Sequence, residues 1–192
     1  GIPLIWGVLI TAFDTIILLT IQNLGMRKFE AFIITLVFTI GLCFVIELFL
    51  AGPSIPGIIG GFSPSLPDGA LLVAIGIIGA TVMPHNLYLH SALVQTRAFD
   101  TSTEGKKKAC KYNFIDSVIA LNGAFFVNAA ILIMAAAVFY ENGKMVAEIE
   151  EAHALLTPLL GTTIAGTAFT LALLAAGQSS TLTGTLAGQI VM

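Results

Sequence analysis

Five long apolar stretches make up most of this chain. They cover residues 3–21, 31–51, 70–94, 114–140 and 159–191. Each holds roughly the 20 mostly apolar residues that a helix needs to cross the hydrocarbon layer of a bilayer. The pattern predicts an all-α polytopic membrane protein, a single transmembrane body over 1–192. The last stretch is long enough for its final turns to leave the membrane or bend. Between the second and third stretches, 52–69 is rich in Gly and Pro and reads as an irregular extramembrane connection.

Composition agrees with that pattern. Charged residues are 10% of the chain and hydrophobic ones 57%, with a mean hydropathy of +0.97. A soluble domain carries about 25% charge, so a soluble fold is excluded and no nucleic-acid partner is expected. The net charge of -3 matters less than where the charges fall. All the Lys and Arg except Lys144 lie in or beside 22–30 and 95–113, while Glu141, Glu148, Glu150 and Glu151 accompany Lys144. Basic loops stay on the cytoplasmic side, so 22–30 and 95–113 are predicted cytoplasmic, and 70–94 runs from outside to inside. Cys43 and Cys110 do not suggest a disulfide framework. A chain that starts at Gly1 without an initiator Met and ends at Met192 inside an apolar segment reads as an interior portion of a longer protein.

The third stretch holds the chemistry. At mid-membrane depth it reads Gly79-Ala-Thr-Val-Met-Pro-His-Asn-Leu-Tyr-Leu-His-Ser91. Pro84 has no N–H and its ring crowds the preceding turn, which predicts a broken helix. Freed backbone groups are tolerated in lipid only where they are buried in protein or line a polar cavity. A thioether (Met83), backbone oxygens around Ala80 and two imidazoles (His85, His90) converge on this break, and that combination reads as a binding site. Ala80 and Met83 are three apart, so carbonyl and sulfur can address one point. His90 returns to the face of Met83 about 10 Å nearer the cytoplasm. His85 and His90, five apart, point in different directions and make poor co-ligands. Hard Mg²⁺ and Ca²⁺ prefer all-oxygen shells, whereas a sulfur among oxygens tilts the site toward Mn²⁺, Fe²⁺ or softer ions. Intramembrane histidine commonly marks a proton or ion path.

Other polar groups in the apolar stretches are weaker leads. Asp14 is deepest in its segment and needs a partner. Glu47 and Asp116 sit nearer helix ends, where solvent can meet them. Asn122 lies in the same stretch, and central Asn128 suits either interhelical hydrogen bonding or a gate for a hydrated ion. Glycines four apart occur at Gly57–Gly61, read as turn-forming, and at Gly184–Gly188, read as close helix packing.

These motifs resemble one family. Met83-Pro-His-Asn-Leu-Tyr-Leu-His90 is similar to the sixth-helix signature of the Nramp divalent metal transporters. Gly177-Gln-Ser-Ser-Thr-Leu-Thr-Gly-Thr-Leu-Ala-Gly-Gln-Ile-Val-Met192 resembles the family's consensus transport motif at helix eight, and Gly1-Ile-Pro-Leu the start of helix four. The resemblance implies helices four to eight of a LeuT-like inverted-repeat transporter with a broken central helix. By motif, Met83 becomes the thioether ligand and the Ala80 carbonyl a state-dependent ligand. His85 and His90 are implicated in proton coupling or the inward path, and Thr81 and Asn128 in the outer gate. The family's first-helix Asp-Pro-Gly-Asn motif, which completes its metal shell, does not occur in this sequence, so this stretch alone is not expected to assemble the site.

The reading that follows is proton-coupled secondary transport of divalent transition metals, Mn²⁺ or Fe²⁺, by alternating access across a plasma membrane. Metal ion and proton are substrates, no cofactor is implied, and partners are lipid and the remaining transporter helices. The alternative is a same-fold transporter of amino acids or other organic solutes. An intramembrane metallohydrolase would want His-Glu-x-x-His, which the spacing of His85 and His90 does not supply, so no enzyme is expected. A purely structural subunit would explain the spans but not the Met-Pro-His break.

Overall fold

The computed structural model describes residues 4–22, 25–63 and 69–192. The described residues are overwhelmingly helical and contain no strand. In order, the helices are α1 (Leu4–Gln22), α2 (Met26–Ala51), α3 (Ile55–Gly61), α4 (Ala70–Thr81), α5 (Pro84–Gln95), α6 (Thr103–Ala135), α7 (Ile149–Leu160) and α8 (Thr163–Val191). Among the described residues, Arg27–Ala51, Ala70–Gln95 and Thr103–Tyr140 are long and apolar enough to cross a membrane, and Ile5–Thr20 is a shorter apolar helix.

Local chemistry sets where these helices stop. Gly52 closes α2 at φ 54 and returns its N–H to Leu48 O at 3.2 Å, a left-handed cap that favours glycine. Gly161, at φ 66, ends α7 in the same way. The start of α6 is built by Ser102, whose Oγ accepts the Gly105 N–H at 3.1 Å, as an N-cap serine does. Asp100 secures that serine by accepting from its hydroxyl at 2.7 Å and its N–H at 3.0 Å. Lys106, Lys107 and Lys108 follow in a helix start that disfavours cations, which gives the acidic Asp100 and Glu104 a stabilising part. At its far end α6 widens into a π-helical turn, Ala136–Tyr140. There Glu141 N reaches Ala136 O at 3.1 Å and Lys144 N reaches Phe139 O at 2.9 Å.

The helices refine the sequence-based pattern. Helical backbone extends beyond the predicted spans, beginning at Met26 and at Thr103. The connection 52–69 contains α3, so Gly57–Gly61 is helical and not a turn. The stretch 159–191 is split at Gly161, after which α8 runs unbroken from Thr163 to Val191.

The chain divides into two compact bodies. The first comprises Gly1–Pro53 with Val127–Leu182, the second Ser54–Phe126 with Thr183–Met192. The first holds the core: Cys43 and Phe44 from α2, Ala130 and Met134 from α6, Val138 and Phe139 from its π turn, Leu156 from α7, and Ala165, Ala168, Phe169 and Ala172 from α8. The alanines of α8 recur at helical spacing and form a narrow stripe. Small residues let helices approach where lipid offers no hydrophobic drive between them. Gly41 shows this, since a Cβ there would meet Val127 Cγ2 at 3.4 Å. At Gly166 a Cβ would stand 2.6 Å from Thr157 Oγ1.

One polar residue lies inside this core, against the sequence-based expectation. Glu47 is fully buried, and neither carboxyl oxygen has a hydrogen-bond partner among the described residues. It follows Cys43 by one turn, so it occupies the core-facing stripe of α2 together with Cys43, Phe44 and Leu48. Its place near the end of the apolar stretch suggested solvent contact, and the side chain faces inward instead. Cys43 is buried and Cys110 exposed, both as free thiols.

Two predictions concern the start of α6. A Cβ on Gly105 would lie 2.3 Å from the Asp100 carbonyl oxygen. Gly105→Ala gains about 1 kcal/mol of helix propensity, but overpacking against backbone costs about 1–3 kcal/mol. The expected net effect is faster amide hydrogen exchange over 103–108; slower exchange would contradict the packing. The second concerns pH. The Ser102 hydroxyl first, and its backbone N–H second, hold the Asp100 carboxyl below its ordinary value. A lowered carboxyl contributes stability that is complete above the unfolded value of about 3.9 and is lost as pH falls through the folded value. Exchange over the same residues should therefore accelerate on acidification, and Asp100→Asn should remove that acceleration.

Candidate metal site at the helix break

The break falls where the sequence places Pro84. α4 ends at Thr81, Val82 and Met83 are non-helical (φ -95, ψ 88 and φ -96, ψ 113), and α5 begins at Pro84. Following the hydrogen bonds shows what the break exposes. Val82 N donates to Ile78 O at 2.9 Å, and the Thr81 hydroxyl donates to Ile77 O at 2.8 Å. The carbonyl of Ala80 would look four residues on for its partner, and there stands Pro84, which has no N–H. The last carbonyls of a helix are unsatisfied in any case and carry its partial negative charge. At Ala80 the lack is written into the sequence.

Met83 occupies the gap itself, at the N-cap position of α5. Asn86 lies one turn into α5. Its N–H donates to Met83 O at 3.1 Å, and its side-chain amide reaches Met83 Sδ at 3.7 Å. Asn86 thus holds both ends of the methionine, a role that sequence analysis did not assign. Its i, i+3 spacing from Met83 is the signal that would have found it. Met83 is 40% exposed, and Ala80, Thr81 and His90 are exposed on the second body.

The remaining predicted residues divide as follows. His85 is the second residue of α5, and its side chain lies outside what the structure describes. His90 is five residues on in the same helix and is exposed. Asn128 is exposed on α6 in the first body, whereas Ala80, Thr81 and Met83 belong to the second. Among the described residues no group of three or more His, Cys, Asp or Glu is positioned to hold a metal. What the break supplies is one thioether and one freed carbonyl, a neutral and partly soft donor pair.

Three of the weaker polar leads have partners. Asp116 pairs with Arg97 at 3.4 Å, with both side chains about half exposed (52% and 53%); a pair so exposed is worth about 0–1 kcal/mol. Asp14 accepts a hydrogen bond from Gln178 Nε2 at 2.6 Å across α1 and α8. Asn122 is satisfied within its own helix, on Val118 O at 2.8 Å.

Comparison with known proteins gives a consistent result. The Nramp profile, described as natural resistance-associated macrophage protein-like, matches residues 1–192. The divalent metal cation transporter MntH of Listeria welshimeri is 54% identical over 197 residues, covering 100% of this chain and 44% of the relative. MntH of Xanthomonas campestris is 53% identical over 197 residues, with the same coverage. Among solved structures, the Eremococcus coleocola manganese transporter, crystallised with an aromatic bis-isothiourea substituted compound, superposes with a TM-score of 0.85 at 35% identity. That match covers 100% of this chain and 43% of the other, so the chain spans less than half the length of the relatives it matches. It shares with that transporter the all-α fold of a polytopic integral membrane protein.

The geometry makes one prediction about the break. Pro84→Ala restores a donor facing the Ala80 carbonyl. One net backbone hydrogen bond, about 0.5–1.5 kcal/mol, should slow amide exchange at 82–85 by roughly 2–10-fold as the helix closes over the gap. Unchanged exchange would mean that something other than the proline holds the break open.

Proposed function

Because this chain belongs to the Nramp family, we propose that it is the helix-four-to-eight portion of a proton-coupled transporter of divalent transition-metal ions, chiefly Mn²⁺ or Fe²⁺. The observation that carries the reading is the pairing, at one helix break, of a carbonyl whose helical partner is a proline with a methionine sulfur. Such a break near the midplane is the site architecture of secondary transporters with LeuT-like inverted repeats, in which unwound carbonyls coordinate the cation. On this reading Met83 and the Ala80 carbonyl ligate the metal. Thr81 and Asn128 line the outer gate, and His85 and His90 line the proton or inward pathway.

The five apolar stretches then act as five spans in a plasma membrane, with 22–30 and 95–113 cytoplasmic. The metal is substrate and not cofactor, and the protein is a transporter and not an enzyme, as its relatives' names also have it. The two donors at the break are neutral, so the charge that balances a divalent ion comes from helices beyond these. Transport follows alternating access: the ion binds at the break from outside, and proton entry is a separate event that shifts the equilibrium toward release inside. A carrier of organic solutes would use the same break but has no need of a thioether.

The test is Mn²⁺ uptake into liposomes by the full-length protein, with and without an inward proton gradient and with Ca²⁺ as competitor. Met83→Ala should still carry Mn²⁺ while its preference over Ca²⁺ falls by about 10-fold or more. That is at least the lower end of the loss seen when a supporting group of a metal site is removed. Unchanged selectivity would remove the thioether from the mechanism. Uptake blocked by amino acids, with no Mn²⁺ flux, would replace the metal reading altogether.

A further inference from the structure

We propose that Asp14 and Gln178 form an intramembrane proton-binding site, in which the bound proton completes an acid–amide pair between α1 and α8. The starting point is an incomplete set of hydrogen bonds. Gln178 Nε2 donates to Asp14 Oδ2 at 2.6 Å, yet Gln178 Oε1 is buried with no donor among the described residues. A primary amide offers donors on one side and a carbonyl acceptor on the other, and an ionised carboxylate can only accept. With Asp14 ionised, the pair holds one hydrogen bond, and the carboxylate has no donor to offer Gln178 Oε1. A protonated carboxyl carries one O–H donor. On this proposal a proton on the Asp14 carboxyl is the donor that Gln178 Oε1 lacks. Binding it would complete the pair with a second hydrogen bond.

The surroundings leave the proton to this pair. A cleft of about 280 Å³ lies beside it in the first body, lined by Thr11, Thr170, Leu173, Leu174, Gly177 and Gln178. It holds no ionisable side chain, and its two hydroxyls already donate to Gly7 O at 2.9 Å and Gly166 O at 2.8 Å, so each remains an acceptor. α8 carries no charged residue. Other ionisable groups on the helical segments of this body are Arg27, Lys28, Glu30, Cys43 and Glu47 on α2, Tyr140 closing α6, and Glu150, Glu151 and His153 on α7. None makes a described hydrogen bond to Asp14 or Gln178. Gln178 is the second residue of the Gly177–Met192 motif, so protonation would tighten the hold of α1 on the segment where that motif begins.

The proposal uses the membrane-embedded reading above but does not need metal transport, and its test contains no metal. Acid-minus-base infrared difference spectra would be recorded on the full-length wild-type protein in lipid. The expected result is a protonated-carboxyl carbonyl band of which one component disappears in Asp14→Asn. Asparagine offers both an N–H and a carbonyl to Gln178, so this variant keeps the pair closed and the fold intact. In Gln178→Leu the same component should move to higher frequency, because its hydrogen bonds are gone. A spectrum of Asp14→Asn that superposes on wild type would overturn the proposal. So would a band unmoved in Gln178→Leu, which also serves as the test if the first variant does not fold. Mn²⁺ uptake without the Asp14 band would sink this site and leave the transport reading standing.

Discussion

The structure depends on a constraint that lipid imposes on backbone: every N–H and C=O in the hydrocarbon layer needs a partner. Long helices meet it by themselves, as α2, α6 and α8 do over 26, 33 and 29 residues. Between α4 and α5 the pattern is broken at Pro84. A missing N–H leaves the Ala80 carbonyl without its helical partner, and the chain answers with two non-helical residues before it resumes as α5. A cation is a chemically suitable substitute for the absent donor, since a helix C-terminus already attracts positive charge. On the proposed function, the break serves as a ligand site because it is a defect in the hydrogen-bond pattern.

The first body shows how the same solvent shapes packing. Between helices in lipid there is little hydrophobic drive, so close contact of small residues has to do the joining. Gly41 against Val127, Gly166 against Thr157, and the alanine stripe of α8 are instances. Polar groups that enter such an interface do so with consequences. Asp14 finds Gln178 across α1 and α8, while Glu47 is enclosed with no partner among the described residues. Two carboxyls in one apolar body thus meet opposite circumstances, and the difference is one amide within reach.

Hydrophobic run length and the proline were enough to read the all-α fold and the break from sequence, because both are local and strong. Helix ends were less legible. The start of α6 at Thr103 is set by Ser102 and Asp100 within a charged segment, and hydropathy is blind to a cap. Glycines at 57–61 suggested a turn, yet Pro56 sits at a helix start where it is tolerated. At the break, the positions of Met83 and Ala80 were legible because the proline fixes the register between them. Asn86 was missed, although its spacing was available. The burial of Glu47 and the pairing of Asp14 with Gln178, 164 residues apart, are tertiary facts with no local signature.

The donor set at the break also bears on what such a site can discriminate. A thioether and a carbonyl bring no negative charge, so they add little Coulombic attraction for any divalent ion. Hard cations of equal charge differ from transition metals mainly in what they gain from a polarisable sulfur. A neutral soft ligand therefore contributes to the choice among ions more than to the strength with which any ion is held. On the proposed function, charge neutralisation is then a separate task, and the two can be tuned independently. That separation would account for a methionine placed at a helix break where an aspartate would bind more tightly. Tight binding of every divalent ion would defeat a transporter, which must also let its cargo go.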